Sequence, residues 1–140
     1  GTNSTLYWYY SAYGNMSDYS TATSVNFGTG KTNTATIMGK YGKTTSNGGY
    51  GAENSRDMWK NISTQVNNGW FVPSRAEWAA IGASLGINTS NYSSTYGLSI
   101  FHWSSSQDIT DNAWRANFSF GYVRYDTVNN DYFVRLATTF

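Results

Sequence analysis

Trp70-Phe71-Val72-Pro73-Ser74-Arg75-Ala76-Glu77-Trp78 is the stretch that decides the fold. Pro73 ends an extended apolar entry, because its ring fixes φ and it has no N–H for a ladder. Ser74 and Glu77 then form a capping box. The Ser74 hydroxyl accepts from the Glu77 backbone N–H, and the Glu77 carboxylate reaches back to Ser74. Loss of the Ser74 cap is expected to cost about 1 kcal/mol. Trp78, Ile81 and Leu85 recur at helical spacing as an inner face, and Gly86 closes the helix.

Upstream, Met58, Trp59, Ile62 and Val66 predict a helix over Asn54 to Val66, capped by Asn54 or Ser55 and ended by Asn67-Asn68-Gly69. A shorter helix is expected from Thr34 to Lys40, with Ile37 and Met38 inward. Gly39 to Gly51 reads as a loop, and Leu6 to Tyr10 as an aromatic strand.

Downstream of the Asn88 to Gly97 loop, strand-like segments fall near Phe101 to Ser105, Ala113 to Phe120, Tyr122 to Tyr125 and Tyr132 to Thr138. The order of strand, helices and then antiparallel strands gives an α+β class, a single domain over residues 1–140, with the helices beside a sheet. Pairing of the first strand with the last would bring the two ends together.

The last forty residues interleave two kinds of position. Trp103-Ser104-Ser105-Ser106, Ala113-Trp114, Asn117-Phe118, Gly121 and Val134-Arg135-Leu136-Ala137 read as frame. Trp103 and Trp114 are expected in the core, and the serines are expected to satisfy buried backbone groups. Arg135 is expected to point outward and to pair with a carboxylate such as Glu77. The intervening residues mix aromatics, both charges and small polar groups with no period. Phe101, His102, Ile109, Phe120, Tyr125, Tyr132 and Phe133 are the expected ligand contacts, since aromatics supply contact area at low entropy cost. Asp108, Asp111, Arg115, Arg124, Asp126 and Asp131 would set polarity around them. The competing reading makes Phe120 and Phe133 core residues.

Composition narrows the function. A net charge of +1 with 12% charged residues lacks the clustered Lys and Arg of a nucleic-acid footprint. Aromatics reach 18%, and polar positions are mostly Asn, Ser, Thr and Gly, as in antibody-like binding loops. Low-charge polar chains are also common on bacterial surfaces, and that accounts for the bulk composition better than a binding-loop origin does. No apolar run approaches a transmembrane helix, so direct membrane insertion is not expected. The chain opens on Gly1 and reads as a piece of something longer, so a missing leader does not argue for the cytoplasm. With no cysteine there is no disulfide and no thiolate metal site. His102, the only histidine, would need carboxylate partners to hold zinc, and a nucleophile for it to activate is not identifiable. Asp108 and Asp111 lack the spacing of a calcium loop. Gly30-Lys31-Thr32 and Gly42-Lys43-Thr44 end like phosphate loops, but Val25 and Ile37 stand where the earlier glycine is required. No metal, cofactor or enzymatic activity is therefore expected.

The capping-box stretch, Trp103-Ser104-Ser105-Ser106, Ala113-Trp114, Phe118, Gly121 and Val134-Arg135-Leu136-Ala137 together resemble the C-type-lectin-fold domains of bacterial surface proteins and phage receptor-binding proteins. Within them the chain is most similar to the variable proteins of diversity-generating retroelements, over Trp59 to Phe140. The resemblance implies a C-type lectin-like fold, a twisted antiparallel sheet with two main flanking helices and long loops. It also implies a variable region at residues 100–140 whose exposed side chains are replaced by adenine-directed mutagenesis. The partner would be a protein or glycan receptor on another cell surface, and the location a bacterial surface, the extracellular space or a phage particle. Calcium-dependent sugar binding is not implied, because the Glu-Pro-Asn type motif and the cysteines of animal lectins are missing. The formylglycine-generating oxidases of the superfamily depend on cysteines, so that activity is excluded. Two other readings stay open: a fixed-specificity carbohydrate-binding surface domain, and a structural domain of a larger surface or phage assembly.

Overall fold

The computed structural model describes residues 4–9, 20–41, 56–119, 122–128 and 130–139. It is an α+β arrangement with antiparallel sheets. In chain order the elements are β1 (Leu6–Tyr7), α1 (Gly30–Tyr41), α2 (Met58–Asn61), α3 (Ser63–Asn67), α4 (Arg75–Leu85), β2 (Phe101–Ile109), β3 (Asn112–Asn117), β4 (Tyr122–Thr127) and β5 (Asp131–Tyr132). The first strand does pair with the last, with Leu6 opposite Tyr132 and Tyr7 opposite Asp131. β2, β3 and β4 form an antiparallel sheet in that order. A parallel bridge between His102 and Phe133, closed by Trp103 N donating to Phe133 O, joins the segment after β5 to β2.

Four tryptophans tie these elements together. Trp8, Trp59, Trp78 and Trp103 are fully buried, so each indole N–H needs an acceptor. Each finds a backbone carbonyl: Trp8 on Ser104, Trp59 on Trp8, Trp78 on Trp103 and Trp103 on Leu6, at 2.8 to 3.1 Å. One set of side chains thus fixes β1, β2, α2 and α4 relative to one another, and each ring contributes several kcal/mol of burial at roughly 25 cal/mol per Å².

The capping box at α4 is formed as read, and Gly86 closes the helix at φ 62°. Glu77 does more than the capping box requires. Its carboxylate accepts from Ser74 N at 2.5 Å and from Gly30 N at 3.3 Å, so one anion serves the N-termini of both α4 and α1. Gly30 is needed for that approach: a Cβ there would collide with the Glu77 carboxylate and lie 2.8 Å from Val72 O. The expected Arg135–Glu77 pair is therefore corrected; Arg135 Nη2 donates to Gly97 O at 3.2 Å.

The serine run is wholly buried and does what its size allows. Ser106 Oγ donates to Ser24 O at 2.7 Å and accepts from Arg75 N at 3.1 Å. Ser104 Oγ accepts from Ser106 N, and Asn33 Nδ2 donates to Ser105 Oγ. β2 is thereby pinned to α1 and α4 through polar contacts along one strand.

Several local expectations shift. Leu85 is exposed, and the inner face of α4 is Trp78, Ile81 and Gly82, with the Tyr122 ring against Gly82. Tyr122 has φ 67°, an uncommon conformation for a tyrosine. The helix expected over 54–66 divides into α2 and α3 at Ile62, and the cap that forms is Asp57, accepting from Lys60 N. Asn54, Ser55 and most of the Gly39 to Gly51 loop lie outside the described residues. α1 begins at Gly30, earlier than expected, and β2 runs to Ile109 rather than stopping at Ser105. The expected strand over Tyr132 to Thr138 reduces to β5 and isolated bridges at Phe133 and Ala137.

Candidate recognition face

Side chains alternate across a strand, and residues directly opposite share a face. In the register of β2, β3 and β4, Phe101 lies opposite Asn117, Trp103 opposite Arg115, and Arg115 opposite Arg124. Phe101, Arg115, Arg124 and Asp126 therefore share one face. Tyr132 joins them from β5, its ring 5.2 Å from Phe101 and 4.9 Å from Trp103.

The centre of this face is interlocked. Arg115 Nε donates to Asp126 Oδ2 at 3.1 Å, and the Tyr132 hydroxyl donates to the same oxygen at 2.6 Å. The other carboxylate oxygen accepts from Thr127 N and Asn130 Nδ2, both at 2.8 Å. The guanidinium carbon lies 4.0 Å from the centroid of Phe101 and 5.1 Å from that of Tyr132. Arg115 Nη1 is buried and has no hydrogen-bond partner among the described residues.

Electrostatics follow from these contacts. Burial raises the Asp126 pKa, but the hydrogen bonds from Tyr132, Thr127 and Arg115 outweigh it, and the group is held below the usual carboxylate value. Burial, and then the bond to Asp126, push the Tyr132 phenol up to about 12. An aspartate with four donors on it and a phenol of that acidity make poor general bases at neutral pH. What the face offers is aromatic area and the exposed Arg124.

The other expected contacts are placed elsewhere. His102 departs most clearly from an outward-facing contact. It is 3% exposed, stacked on Trp78 at 5.4 Å, with Nε2 accepting from Ser99 N at 3.1 Å. Its parity in β2 points it toward α4, away from Phe101. Burial, and next the Arg135 charge, hold its pKa near 4, so it is neutral at pH 7. Phe133 is half-buried beside it, at 6.3 Å. Tyr125 is exposed but lies opposite Trp114 on the α4 side of the sheet. Asp131, at the β1–β5 pair, accepts from Thr5 Oγ1 at 2.5 Å and is salt-bridged to Arg56. The Thr5 bond, opposed by slight burial and aided by Arg56, lowers its pKa. Asp108, Ile109 and Asp111 sit at the β2–β3 turn, with Ile109 and Asp111 exposed and Asp108 partly so. Phe120 lies outside the described residues. The expected single face is thus corrected to a group of five, with the other described residues distributed over the opposite face, the turn and the β1–β5 edge.

Trp114 is the residue the sequence misplaces. It is only half-buried, its ring 5.5 Å edge-on from Tyr125 with the Arg75 guanidinium 4.1 Å from its centroid. Strict alternation with buried Ala113 would have turned it away from the Trp103 core. On the α4 side the Arg75 guanidinium covers its ring, a contact that no local pattern in β3 announces.

Among the described residues no group of three or more His, Asp or Glu could hold a metal ion, and no helix is long and apolar enough to cross a membrane. No family model, no curated protein and no solved structure matches this chain.

Proposed function

We propose that this chain is a non-enzymatic ligand-binding domain on a C-type lectin-like scaffold, of the kind diversified by retroelements, acting as a receptor-binding or adhesin module. One observation carries the reading. Residues that look chemically arbitrary in sequence, Phe101, Arg115, Arg124, Asp126 and Tyr132, converge on one sheet face, while the frame residues Trp103, Ser104–Ser106, Ala113, Phe118 and Val134 are buried. The β1–β5 pairing and the helices beside an antiparallel sheet suit the lectin-like arrangement. The partner would be a protein or glycan receptor, anchored by the aromatics of this face. The location would be a bacterial surface, the extracellular space or a phage particle.

The test is the DNA flanking the gene. A near-copy of the segment encoding 100–140, beside a reverse transcriptase and differing at adenines, is the expected result. A flanking region without such a copy overturns the retroelement assignment.

The exposed Tyr125 beside Trp114 favours a second reading, fixed-specificity glycan binding by stacking on sugar rings. A reproducible glycan-array hit lost in Trp114→Ala would support it over the first.

A further inference from the structure

β4 is an edge of the three-stranded sheet, and among the described residues no strand pairs with its outer side. Residues along an antiparallel strand alternate between those that bond to the neighbouring strand and those whose N–H and C=O point away from it. Both ends of the sheet fix that parity. Phe118 N donates to Ile100 O, so Ile100 and His102 turn toward β3, while Trp103 turns its N–H away to Phe133 O. At the far side, Thr127 N donates to Asp126 Oδ1 and Thr127 O accepts from Asn130 N, so Thr127 turns away from β3. Val123 and Tyr125 share the parity of Thr127. Their N–H and C=O groups therefore point out of the sheet, at residues that are half-buried and exposed respectively.

Folded proteins ordinarily guard such an edge with proline, lysine, a bulge or a covering segment. β4 reads Tyr122-Val123-Arg124-Tyr125-Asp126-Thr127, with no proline and no lysine, and its six pairs with β3 run without a bulge. Arg124 and Asp126 do put charge on the strand, and their spacing selects a partner. When two copies of β4 lie antiparallel and centred on Tyr125, Arg124 of each is opposite Asp126 of the other, and Val123 is opposite Thr127. Opposite charges facing each other across a strand pair are favourable, whereas centring on Arg124 would oppose two arginines. The sequence of the edge is thus complementary to itself in one register.

We propose that β4 is a dimerisation edge, on which a second copy of this chain pairs antiparallel about Tyr125 to make one continuous six-stranded sheet. The two Tyr125 backbones exchange a pair of hydrogen bonds, and each Val123 N–H reaches Thr127 O of the other copy. Such a pair is related by a two-fold axis perpendicular to the sheet, so the Phe101 and Tyr132 faces of both copies look the same way. The pairing does not depend on the recognition reading. Together with it, the dimer presents two binding faces side by side, which raises avidity for a multivalent surface.

A single strand pair is smaller than a standard interface, so a dissociation constant on the order of 100 μM is expected. The whole chain is followed by sedimentation equilibrium and amide hydrogen exchange from about 10 μM to about 1 mM. The expected result is a monomer–dimer equilibrium in which protection of the Tyr125 amide rises about fourfold over that range. The Arg124 amide, which faces β3, should not change with concentration. Arg124→Glu sets a carboxylate opposite Asp126 of the second copy and should weaken the dimer about tenfold. A chain monomeric throughout, a dimer that leaves Tyr125 exchange unchanged, or an equally strong dimer in Arg124→Glu would each overturn the proposal. Protection of Tyr125 by a synthetic peptide of unrelated sequence, in a chain that stays monomeric, would assign the edge to a foreign strand and overturn it too. The concentration series uses the unaltered chain and does not depend on how the variant folds.

Discussion

Replacing Arg115 with leucine separates an interlocked platform from a set of independent surface residues. The substitution keeps apolar volume next to Phe101 and Tyr132 but removes the bond from Nε to Asp126 and the guanidinium over both rings. A hydrogen bond between charged groups contributes about 1.5–3 kcal/mol, and each cation–π contact about 0.5–1 kcal/mol where solvent reaches it. The pair is mostly buried, with side chains 11% and 24% exposed, so screening removes only part of this. Asp126 keeps its bonds from Tyr132, Thr127 and Asn130, which prevents the larger loss of an orphaned charge. The net expectation is a loss of about 2–3 kcal/mol, read in urea as a lower midpoint at unchanged slope. Asp126→Asn should cost a similar amount, and the double variant should cost less than the sum by about 1–2 kcal/mol. If Arg115→Leu lies within about 0.5 kcal/mol of the parent, the ordinary range for a surface change, the interlock is not a stabilising unit and the reasoning fails.

Exposed positions should behave differently. Asp111→Ala removes little buried area, and thermal or urea midpoints should move by no more than about 0.5 kcal/mol, whereas Tyr125→Ser also gives up the edge-on contact with Trp114 and should cost about 0.5–1.5 kcal/mol. Gly30→Ala drives a methyl into the Glu77 carboxylate and Val72 O, so a loss of about 2 kcal/mol is expected in denaturation; a neutral result would show that α1 does not depend on that close approach. His102 gives a pH signature. Its folded pKa near 4 is below the ordinary 6.5, so the unfolded chain binds more protons in between. Stability should fall as pH drops from about 6.5 to about 4, by roughly 3 kcal/mol from this group, and the slope should vanish in His102→Phe. An NMR pKa close to 6.5 for the ring would contradict its burial. Asp126 and Asp131, both lowered, add a separate loss only below the normal carboxylate range.

Much of the frame was legible because it rests on local chemistry. The Ser74–Glu77 capping box and the Gly86 stop are fixed by nearest neighbours, and both form. The serine run after Trp103 signalled buried small hydroxyls, since no exposed strand needs three in succession beside a core tryptophan. The site was less legible because its grouping is set by register. Phe101 meets Arg115 and Tyr132 only once β2, β3 and the segment after β5 are aligned. His102 and Phe101 are adjacent in sequence and on opposite faces, and only the position of α4 determines that His102 is the one covered. Glu77 reads as an α4 cap alone, because its second role requires Gly30, forty-seven residues away in sequence.

The central claim is that the Phe101, Arg115, Arg124, Asp126 and Tyr132 face recognises a partner while the scaffold beneath it stays unchanged. The direct measurement is selection from a displayed library randomised at those five positions only, screened against bacterial surface proteins and glycans. The account predicts folded binders of differing specificity, each losing its target when the face is returned to the parent residues. A library that yields folded variants without binders, or binders whose contacts map to the opposite side of the sheet, would contradict it.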